Sequence, residues 1–237
     1  MEDMDTVEPT SAPRAVIASG AGRYADAWHL FPHTSARIAE ILGEDGWDVI
    51  VIDDPDRALW SLDDVSLLVV NAGDPWRGGD GEQHADRAAA RGLDAAIERG
   101  IGLISVHTGL ASLRDYPRWR EAIGGAWETD RSWHPPIARS VIPVVDAAHP
   151  VTEGVAEIVV FDELYTDLAV DQRVHVLAAH ERHAASHPLV WVCEQPTRAV
   201  ATALGHDERS YESASHRALM RGAARWAGRW AGRTHGE

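Results

Sequence analysis

The segment Ile101–His107, which reads IGLISVH and is followed by Thr108 and Gly109, indicates what kind of sheet this chain forms. Within it, the predicted strand Ile101–Val106 is apolar apart from Ser105, and such a run is typical of a strand that is buried on both faces of a parallel sheet. A sharp turn and a helix after such a strand make a nucleophile elbow, which lifts one side chain above the carboxyl edge of the sheet. Here that side chain is His107, which can serve as an acid, a base or a metal ligand but replaces a serine or cysteine nucleophile poorly.

The rest of the first half repeats this pattern. Short apolar runs alternate with stretches of helical periodicity, Ser35–Asp45 and Glu82–Arg99, and Gly100 ends the second of these. The predicted strands before the elbow are Arg14–Ser19, Trp47–Ile52 and Leu67–Asn71. Such strands, separated by helices, predict an α/β fold with a doubly wound, mostly parallel sheet flanked by helices. Ligands of these folds bind at the carboxyl edge of the sheet, where His107 is expected.

The second half has shorter connections between its strands. We predict that these strands form an antiparallel or mixed extension of the sheet and that a helix, Ser213–Trp230, closes the fold. The apolar face of this helix, with Leu219, Ala223 and Trp226, can either pack within the chain or form a homo-oligomer. The predicted strands are Ala138–Val145, Glu157–Phe161, Val174–Ala179, Leu189–Val192 and Ala199–Ala203.

Length and composition favour a single domain. The chain has 237 residues, of which 45% are hydrophobic, and it contains no internal repeat and no linker after residue 13. We expect residues 1–13 to be a disordered acidic leader and residues 14–237 to form one α/β domain. The leader lacks the apolar segment of a signal peptide. No apolar run approaches the roughly 20 residues of a membrane helix, and Cys193 is the single cysteine. These observations predict a cytoplasmic protein.

The charge balance excludes several classes of partner and cofactor. All 22 basic residues are arginine, and 37 acidic residues bring the net charge to −15. The absence of lysine excludes Schiff-base and P-loop chemistry, and the negative charge disfavours nucleic acid and anionic membranes as partners. Gly20 and Gly22 suggest a dinucleotide-binding loop, but the third glycine of that fingerprint is missing, so we expect no nucleotide cofactor.

Two adjacent carboxylates, Asp162 and Glu163, follow a predicted strand and precede Tyr165. Neighbouring side chains of an extended segment point to opposite sides, so one carboxylate can enter a site while the other holds the backbone. A glutamate beside a histidine is a usual acid–base or metal-binding pair. Taken alone, the same pattern also suits a capped helix start with a solvated glutamate. His206, which follows a strand and Gly205, is another side chain that the pattern presents at a sheet edge.

Other residues near strand ends are candidates for substrate binding. His29 lies in the loop after the first strand, where a solvated position is an equal alternative, and His134 follows a glycine turn. The chain has ten tryptophans, whose flat faces stack well on sugar rings. Trp76, Trp133 and Trp191 are the best placed of these for a cleft. A cluster of histidines in the second half is expected instead at the surface, around the tip of a hairpin; it comprises His175, His180, His183 and His187.

Four short motifs stand in a specific order along the chain: Gly102–His107, His149–Thr152, Asp162–Tyr165 and Leu204–His206. Together they make residues 14–231 resemble the trehalose-utilisation (ThuA-like) family. The resemblance implies the flavodoxin-like fold of the class I glutamine amidotransferases, with His107 at the nucleophile position and His206 near the position of the catalytic histidine. It also favours a functional role for Glu163. Glutaminase activity is not expected, because the elbow has no cysteine and Cys193 lies at the end of the strand predicted at Leu189–Val192.

Members of this family are associated with the catabolism of disaccharides and of oxidised (keto) sugars, so the resemblance implies an enzyme that acts on a small carbohydrate. We expect acid–base catalysis by His107, Glu163 and His206, with Glu163 as the base. A divalent metal such as zinc, held by the same three residues, can supply part of this chemistry. The alternative is a non-catalytic sugar-binding or accessory protein that keeps the fold. The expected substrate-binding residues are His29, His134, Tyr165, Trp76 and Trp133.

Overall fold

The computed structural model describes residues 11–77 and 84–232. Their strands are β1 (Arg14–Ser19), β2 (Asp48–Ile52), β3 (Leu67–Asn71), β4 (Gly102–Val106), β5 (Gly125–Ala126), β6 (Ala138–Pro143), β7 (Glu157–Asp162), β8 (Ala169–Val170), β9 (His175–Arg182), β10 (Ala185–Cys193) and β11 (Ala199–Thr202). Their α-helices are α1 (Phe31–Glu44), α2 (Pro55–Leu59), α3 (Arg87–Arg99), α4 (Pro117–Ile123) and α5 (Ala214–Ala227).

The central sheet has the strand order β2-β1-β3-β4-β11-β10-β9. The first five strands in this order are parallel, and β10 and β9 are antiparallel. The parallel part has the flavodoxin-like order 2-1-3-4-5. Helices α1 and α5 pack together on one face, and α2, α3 and α4 pack on the other, so β3 and β4 are buried throughout. The doubly wound, mostly parallel sheet with an antiparallel extension is therefore confirmed.

Two predicted strands of the second half lie outside this sheet. Ala138–Val145 and Glu157–Phe161 correspond to β6 and β7, which pair with each other in a two-stranded antiparallel sheet. Most of β6 is exposed, and Ile142 is its buried residue. It therefore lacks the two buried faces of a central strand. An isolated bridge between Val144 and Ala178 connects the hairpin to β9.

Local signals set the ends of helix α3. The carboxylate of Asp86 accepts hydrogen bonds from the N–H groups of Ala88 and Ala89, so the helix begins at Arg87. The sequence predicts an earlier start, at Glu82, and residues 82–83 lie outside the described part of the chain. Gly100 ends the helix in a left-handed conformation, with φ of +85°, as the sequence predicts.

Helix α5, near the C-terminal end of the described residues, packs against the rest of the domain. The apolar face of α5, which includes Leu219, Met220 and Ala223, is buried against the rest of the chain, so packing within the fold accounts for this face. Residues 1–10 of the predicted leader and residues 233–237 lie outside the described part of the chain. Among the described residues, no helix combines the length and the apolar character needed to cross a membrane.

Replacing Gly92 by alanine is expected to destabilise the fold, because α3 packs directly against the end of α2. A Cβ atom at Gly92 would lie 1.9 Å from the carbonyl oxygen of Leu59. Overpacking of this kind costs about 1–3 kcal/mol, which urea unfolding would detect. Gly43→Ala is the matched control: Gly43 also lies in a helix, nothing lies within 4 Å of its Cβ position, and alanine should stabilise α1 by up to about 1 kcal/mol. Equal effects of the two changes would contradict this account.

Candidate functional site

The turn after β4 places His107 at the carboxyl edge of the sheet. Its φ angle is +47°, a left-handed conformation that is uncommon for residues other than glycine. A 3₁₀ helix, His107–Leu110, begins at once, and the histidine is buried. The predicted strand–turn–helix elbow is therefore present, with a 3₁₀ helix as its helical part.

Two hydrogen bonds fix the imidazole of His107. Its Nδ1–H donates to the carbonyl oxygen of Ala203 over 2.7 Å, which leaves Nε2 with a lone pair. The hydroxyl of Tyr165 donates to this Nε2 over 2.9 Å. Nε2 is therefore the atom that His107 presents to its polar neighbours.

Asp162 and Glu163, at the end of β7, point to opposite sides, as extended backbone requires. The carboxylate of Asp162 accepts a hydrogen bond from the N–H of Glu163 over 2.8 Å. It also accepts from the N–H groups of Gly205, over 2.7 Å, and His206, over 3.2 Å. The hydroxyl of Ser210 donates to the same carboxylate. Asp162 thus ties the strand end that carries Glu163 to the loop that carries His206.

Gly205 precedes His206 because the turn there leaves no room for a side chain. Its φ angle is +119°, and a Cβ atom would lie 2.5 Å from the hydroxyl oxygen of Tyr211 and 2.8 Å from Cγ1 of Val106. Since β11 lies next to β4 in the sheet, this turn brings His206 beside His107.

Three donor atoms from distant parts of the chain meet at this edge. Nδ1 of His206 lies 3.3 Å from Nε2 of His107. Oε2 of Glu163 lies 3.5 Å from that Nε2 and 3.4 Å from that Nδ1. The three atoms form a nearly equilateral triangle. Ligands that bind zinc tetrahedrally at about 2.0–2.1 Å lie about 3.3–3.4 Å from one another, so the triangle has the size of one face of such a site.

His29 joins this group from the loop after β1. Its Nε2 is buried and has no hydrogen-bond partner among the described residues. Its ring centroid lies 5.1 Å from that of His107 and 4.8 Å from that of His206. Within residues 11–77 and 84–232, these two histidines, Glu163 and His29 form one group of potential metal ligands, whose ligand atoms, one from each residue, all lie within 4.8 Å of one another.

Burial and mutual charge set the protonation of the group. Burial lowers the pKa of both His107 and His206 below the ordinary histidine value. Burial by itself would raise the pKa of Glu163, but the close approach of His107, His206 and His134 outweighs it and holds that pKa below its usual range. At neutral pH the triangle therefore consists of two neutral imidazoles and a carboxylate, the forms that bind a divalent cation.

A cavity of about 460 Å³ opens beside these side chains. This volume lies within the range of about 300–1,000 Å³ that small-molecule sites occupy. Aromatic faces and charged groups alternate around its wall. The lining residues are Trp28, His29, Asp74, Arg77, Thr108, Ala111, Trp127, Thr129, His134, Glu163, Tyr165 and His206.

Three of the five residues predicted to bind substrate line this cavity: His29, His134 and Tyr165. Nδ1 of His134 lies 3.5 Å from Oε1 of Glu163, on the side of the carboxylate that faces away from the triangle. The same Nδ1–H donates to the carbonyl oxygen of Pro135 over 3.0 Å, which leaves the lone pair on Nε2. A third of the His134 side chain is exposed, so it can reach a bound molecule.

The other two, Trp76 and Trp133, do not line the cavity. The guanidinium of Arg114 lies over Trp76, and the indole N–H of Trp133 donates to the carboxylate of Asp167 over 2.9 Å. Trp28 and Trp127 supply the aromatic wall instead. Sequence reasoning missed both, because neither lies in one of the recognised motifs and the short strand β5, which Trp127 follows, was not predicted.

The histidines of the β9–β10 hairpin are not all at the surface. His180 and His187 are buried, which overturns the expectation for these two. Nε2–H of His180 donates to the carbonyl oxygen of Tyr165 over 3.1 Å, and Nδ1 of His187 accepts the N–H of Asp167 over 3.3 Å. The hairpin therefore supports the loop that carries Tyr165.

Comparison with known proteins gives evidence about the family of this chain. The family model ThuA, described as trehalose utilisation, matches residues 16–227. No curated protein matches the chain. Among solved structures, a ThuA-like protein from Parabacteroides merdae is similar with a TM-score of 0.74 and 16% identity, over 92% of this chain and 90% of that one. A ThuA-like protein from Bacteroides uniformis gives a TM-score of 0.72 and 17% identity, over 94% of each chain.

The amidotransferase fold is similar at a greater distance. A glutamine amidotransferase from Thermotoga maritima has a TM-score of 0.55 and 12% identity, over 91% of this chain and 98% of that one. At such identities the solved structures establish the fold alone. The family model covers most of the chain, and the chain therefore belongs to the ThuA (trehalose utilisation) family.

Proposed function

We propose that this chain is an enzyme of carbohydrate catabolism that acts on a disaccharide or keto-sugar by acid–base chemistry, assisted by a divalent metal such as zinc. The observation that carries the proposal is the triangle of Nε2 of His107, Nδ1 of His206 and Oε2 of Glu163, with sides of 3.3–3.5 Å. Two histidines and a glutamate are a usual donor set of catalytic zinc sites. The family description, trehalose utilisation, supports the carbohydrate part.

His107, Glu163 and His206 fit the metal by donor chemistry, spacing and protonation, and they would hold it at the edge of the cavity. A bound divalent cation supplies Lewis-acid polarisation of a substrate carbonyl or hydroxyl oxygen. The chain's own residues then have to orient the sugar and move its protons.

Glu163 and His134 are suited to receive a proton from a carbon next to a carbonyl. Oε1 of Glu163 lies 3.5 Å from Nδ1 of His134. Nε2 of His134 keeps its lone pair because Nδ1–H donates to the carbonyl oxygen of Pro135. Tyr165 is suited to the opposite task. Burial raises the pKa of its hydroxyl well above the ordinary value, so the group stays protonated. Its hydrogen, which points to Nε2 of His107 here, would be available to a substrate oxygen if that nitrogen bound the metal.

The cavity wall also favours a sugar. Trp28 and Trp127 present aromatic faces to it, and Asp74, Arg77 and Thr129 present hydrogen-bonding groups. Aromatic faces with a few polar groups between them suit a ring that carries C–H on its faces and hydroxyls at its rim.

Amidotransferase chemistry is not part of the proposal. The elbow position of the nucleophile is occupied by His107. The single cysteine, Cys193, is buried in β10, and burial raises the pKa of its thiol, which disfavours the thiolate that a nucleophile needs.

The proposal is tested by metal content and proton exchange on the full chain, purified without a histidine tag or chelator. We expect about one zinc or manganese ion per chain by elemental analysis, since one triangle holds one ion. The metal-loaded protein should exchange deuterium from D₂O into keto-sugars, observed by NMR, and the chelator-stripped protein should not.

Three results separate the alternatives. Absence of metal in every preparation, including protein reconstituted with zinc, would contradict the metal-assisted mechanism. Sugar binding without exchange or product would identify the chain as a non-catalytic sugar-binding protein. Glutamine hydrolysis would contradict the assignment of His107.

A further inference from the structure

His29 lies beside the triangle and has a feature that the three-residue site does not explain. Its Nε2 is buried and has no partner among the described residues, although His29 belongs to a group whose ligand atoms, one from each of His29, His107, Glu163 and His206, lie within 4.8 Å of one another. An unsatisfied buried polar atom costs about 1–3 kcal/mol. Such an atom in a group of metal-binding side chains is explained by a cation that binds it.

The other side of the His29 ring is tightly held. Nδ1 lies 2.7 and 2.9 Å from the two carboxylate oxygens of Asp26. Oδ1 of Asp26 also accepts the N–H groups of Trp28 and His29, each over 2.8 Å, which fixes the carboxylate on its own loop. Both side chains are 6% exposed. Asp26 therefore holds the proton of His29 on Nδ1 and leaves the lone pair on Nε2, in a ring whose centroid lies 5.1 Å from that of His107 and 4.8 Å from that of His206.

A carboxylate that holds the far nitrogen of an imidazole is a recurring support of metal-binding histidines, since it fixes the tautomer and makes the ring a stronger donor. His107 is held in the corresponding way by a neutral group, the carbonyl oxygen of Ala203. The two rings thus have the same tautomer, with the lone pair on Nε2, although they follow different strands, β1 and β4, which are separated by β3 in the sheet.

We propose that His29 is a fourth protein ligand of the metal and that Asp26 is the residue that positions it. This inference rests on the proposed metal site. Three histidines and one glutamate would then hold the cation, which would supply the Lewis-acid polarisation described above.

The test measures zinc affinity by competition with a chromogenic chelator in the full chain. We expect Asp26→Asn to weaken zinc binding by about 10–100-fold, the usual effect of losing such a support. Asp146→Asn is the matched control. Asp146 also lies 2.7 Å from an imidazole nitrogen, that of His175, but in an exposed pair outside the group. This control should change the affinity less than about twofold, a limit set well below the loss expected for a supporting carboxylate.

A double-mutant cycle then asks whether Asp26 acts through His29. His29→Ala should weaken zinc binding at least as much as Asp26→Asn, and adding Asp26→Asn to His29→Ala should change the affinity little further. Full additivity of the two losses would overturn the positioning role. Thermal unfolding of the metal-free variants separates these effects from a general loss of stability.

X-ray absorption of the zinc-loaded natural sequence gives an independent answer that requires no variant to fold. Three imidazole ligands are expected, and two would overturn the assignment of His29. Failure of the natural sequence to bind zinc at all would instead contradict the proposed function on which this inference rests.

Discussion

Replacing His107 by asparagine is expected to abolish stoichiometric zinc binding and turnover. His107 supplies one corner of the triangle, and asparagine is too short to return a donor atom to the position of Nε2. Since the loss of a residue that merely supports a ligand weakens metal binding about 10–100-fold, the loss of a buried ligand should weaken it more than about 100-fold. Asparagine is the suitable replacement because it tolerates the left-handed backbone of this position.

The control for this change is Tyr165→Phe. It removes the hydroxyl that donates to Nε2 of His107 but leaves every corner of the triangle in place. Elemental analysis and chelator competition should show that Tyr165→Phe keeps about one zinc per chain while His107→Asn does not. Equal metal content in the two variants, whether full or absent, would contradict the assignment of His107 as a ligand. Far-UV circular dichroism would establish that both variants fold.

Replacing Glu163 by glutamine is expected to lower kcat by about 10²–10⁴-fold, the usual contribution of a general acid or base. The pKa of Glu163 is held below its usual range, so the natural side chain is an anion at neutral pH. Glutamine has nearly the same shape but neither the charge nor the capacity to accept a proton. Zinc affinity should fall as well, because Oε2 is the only anionic corner of the triangle.

Glu208→Gln is the matched control for this second change. Glu208 also lies beside a histidine, with Oε2 3.0 Å from Nδ1 of His33, but the pair is exposed and outside the cavity. Deuterium exchange into a keto-sugar and zinc affinity should be unchanged in this variant. If the Glu163→Gln variant kept full exchange activity, the carboxylate would not be part of the proton-accepting pair. His134 would then be the remaining proton acceptor.

The parts of the fold that depend on local pattern could be predicted from the sequence. Apolar runs predicted β1 and β3 with their observed ends, because these strands are apolar throughout their interior and carry polar residues only at their ends. The elbow at His107 followed from an apolar strand that stops at a polar residue and a glycine. The opposite directions of Asp162 and Glu163 followed from the alternation of extended backbone.

The same kind of pattern failed where contacts are made across the fold. β6 and β7 have the sequence pattern of strands. Which sheet a strand joins depends on which sheet edge is available for pairing, and the alternation of its side chains does not show this. His180 and His187 look like residues of a solvated hairpin. They are buried because the loop that carries Tyr165 folds over them and supplies their hydrogen bonds.

The candidate site also has features that a local sequence pattern predicts and features that depend on contacts across the fold. The sequence pattern predicts that His107 and His206 follow strands and that Glu163 lies at the end of an extended segment. Only the tertiary structure brings the three within 3.5 Å, because β4 and β11 are neighbours in the sheet and Asp162 binds the loop of His206 to the end of β7. It also decided that Trp28 and Trp127, rather than Trp76 and Trp133, face the cavity. The end of a strand can be recognised from the local hydrophobicity of the sequence. Which loops lie together depends on the order of the strands in the sheet and on long-range hydrogen bonds, and no local pattern contains that information.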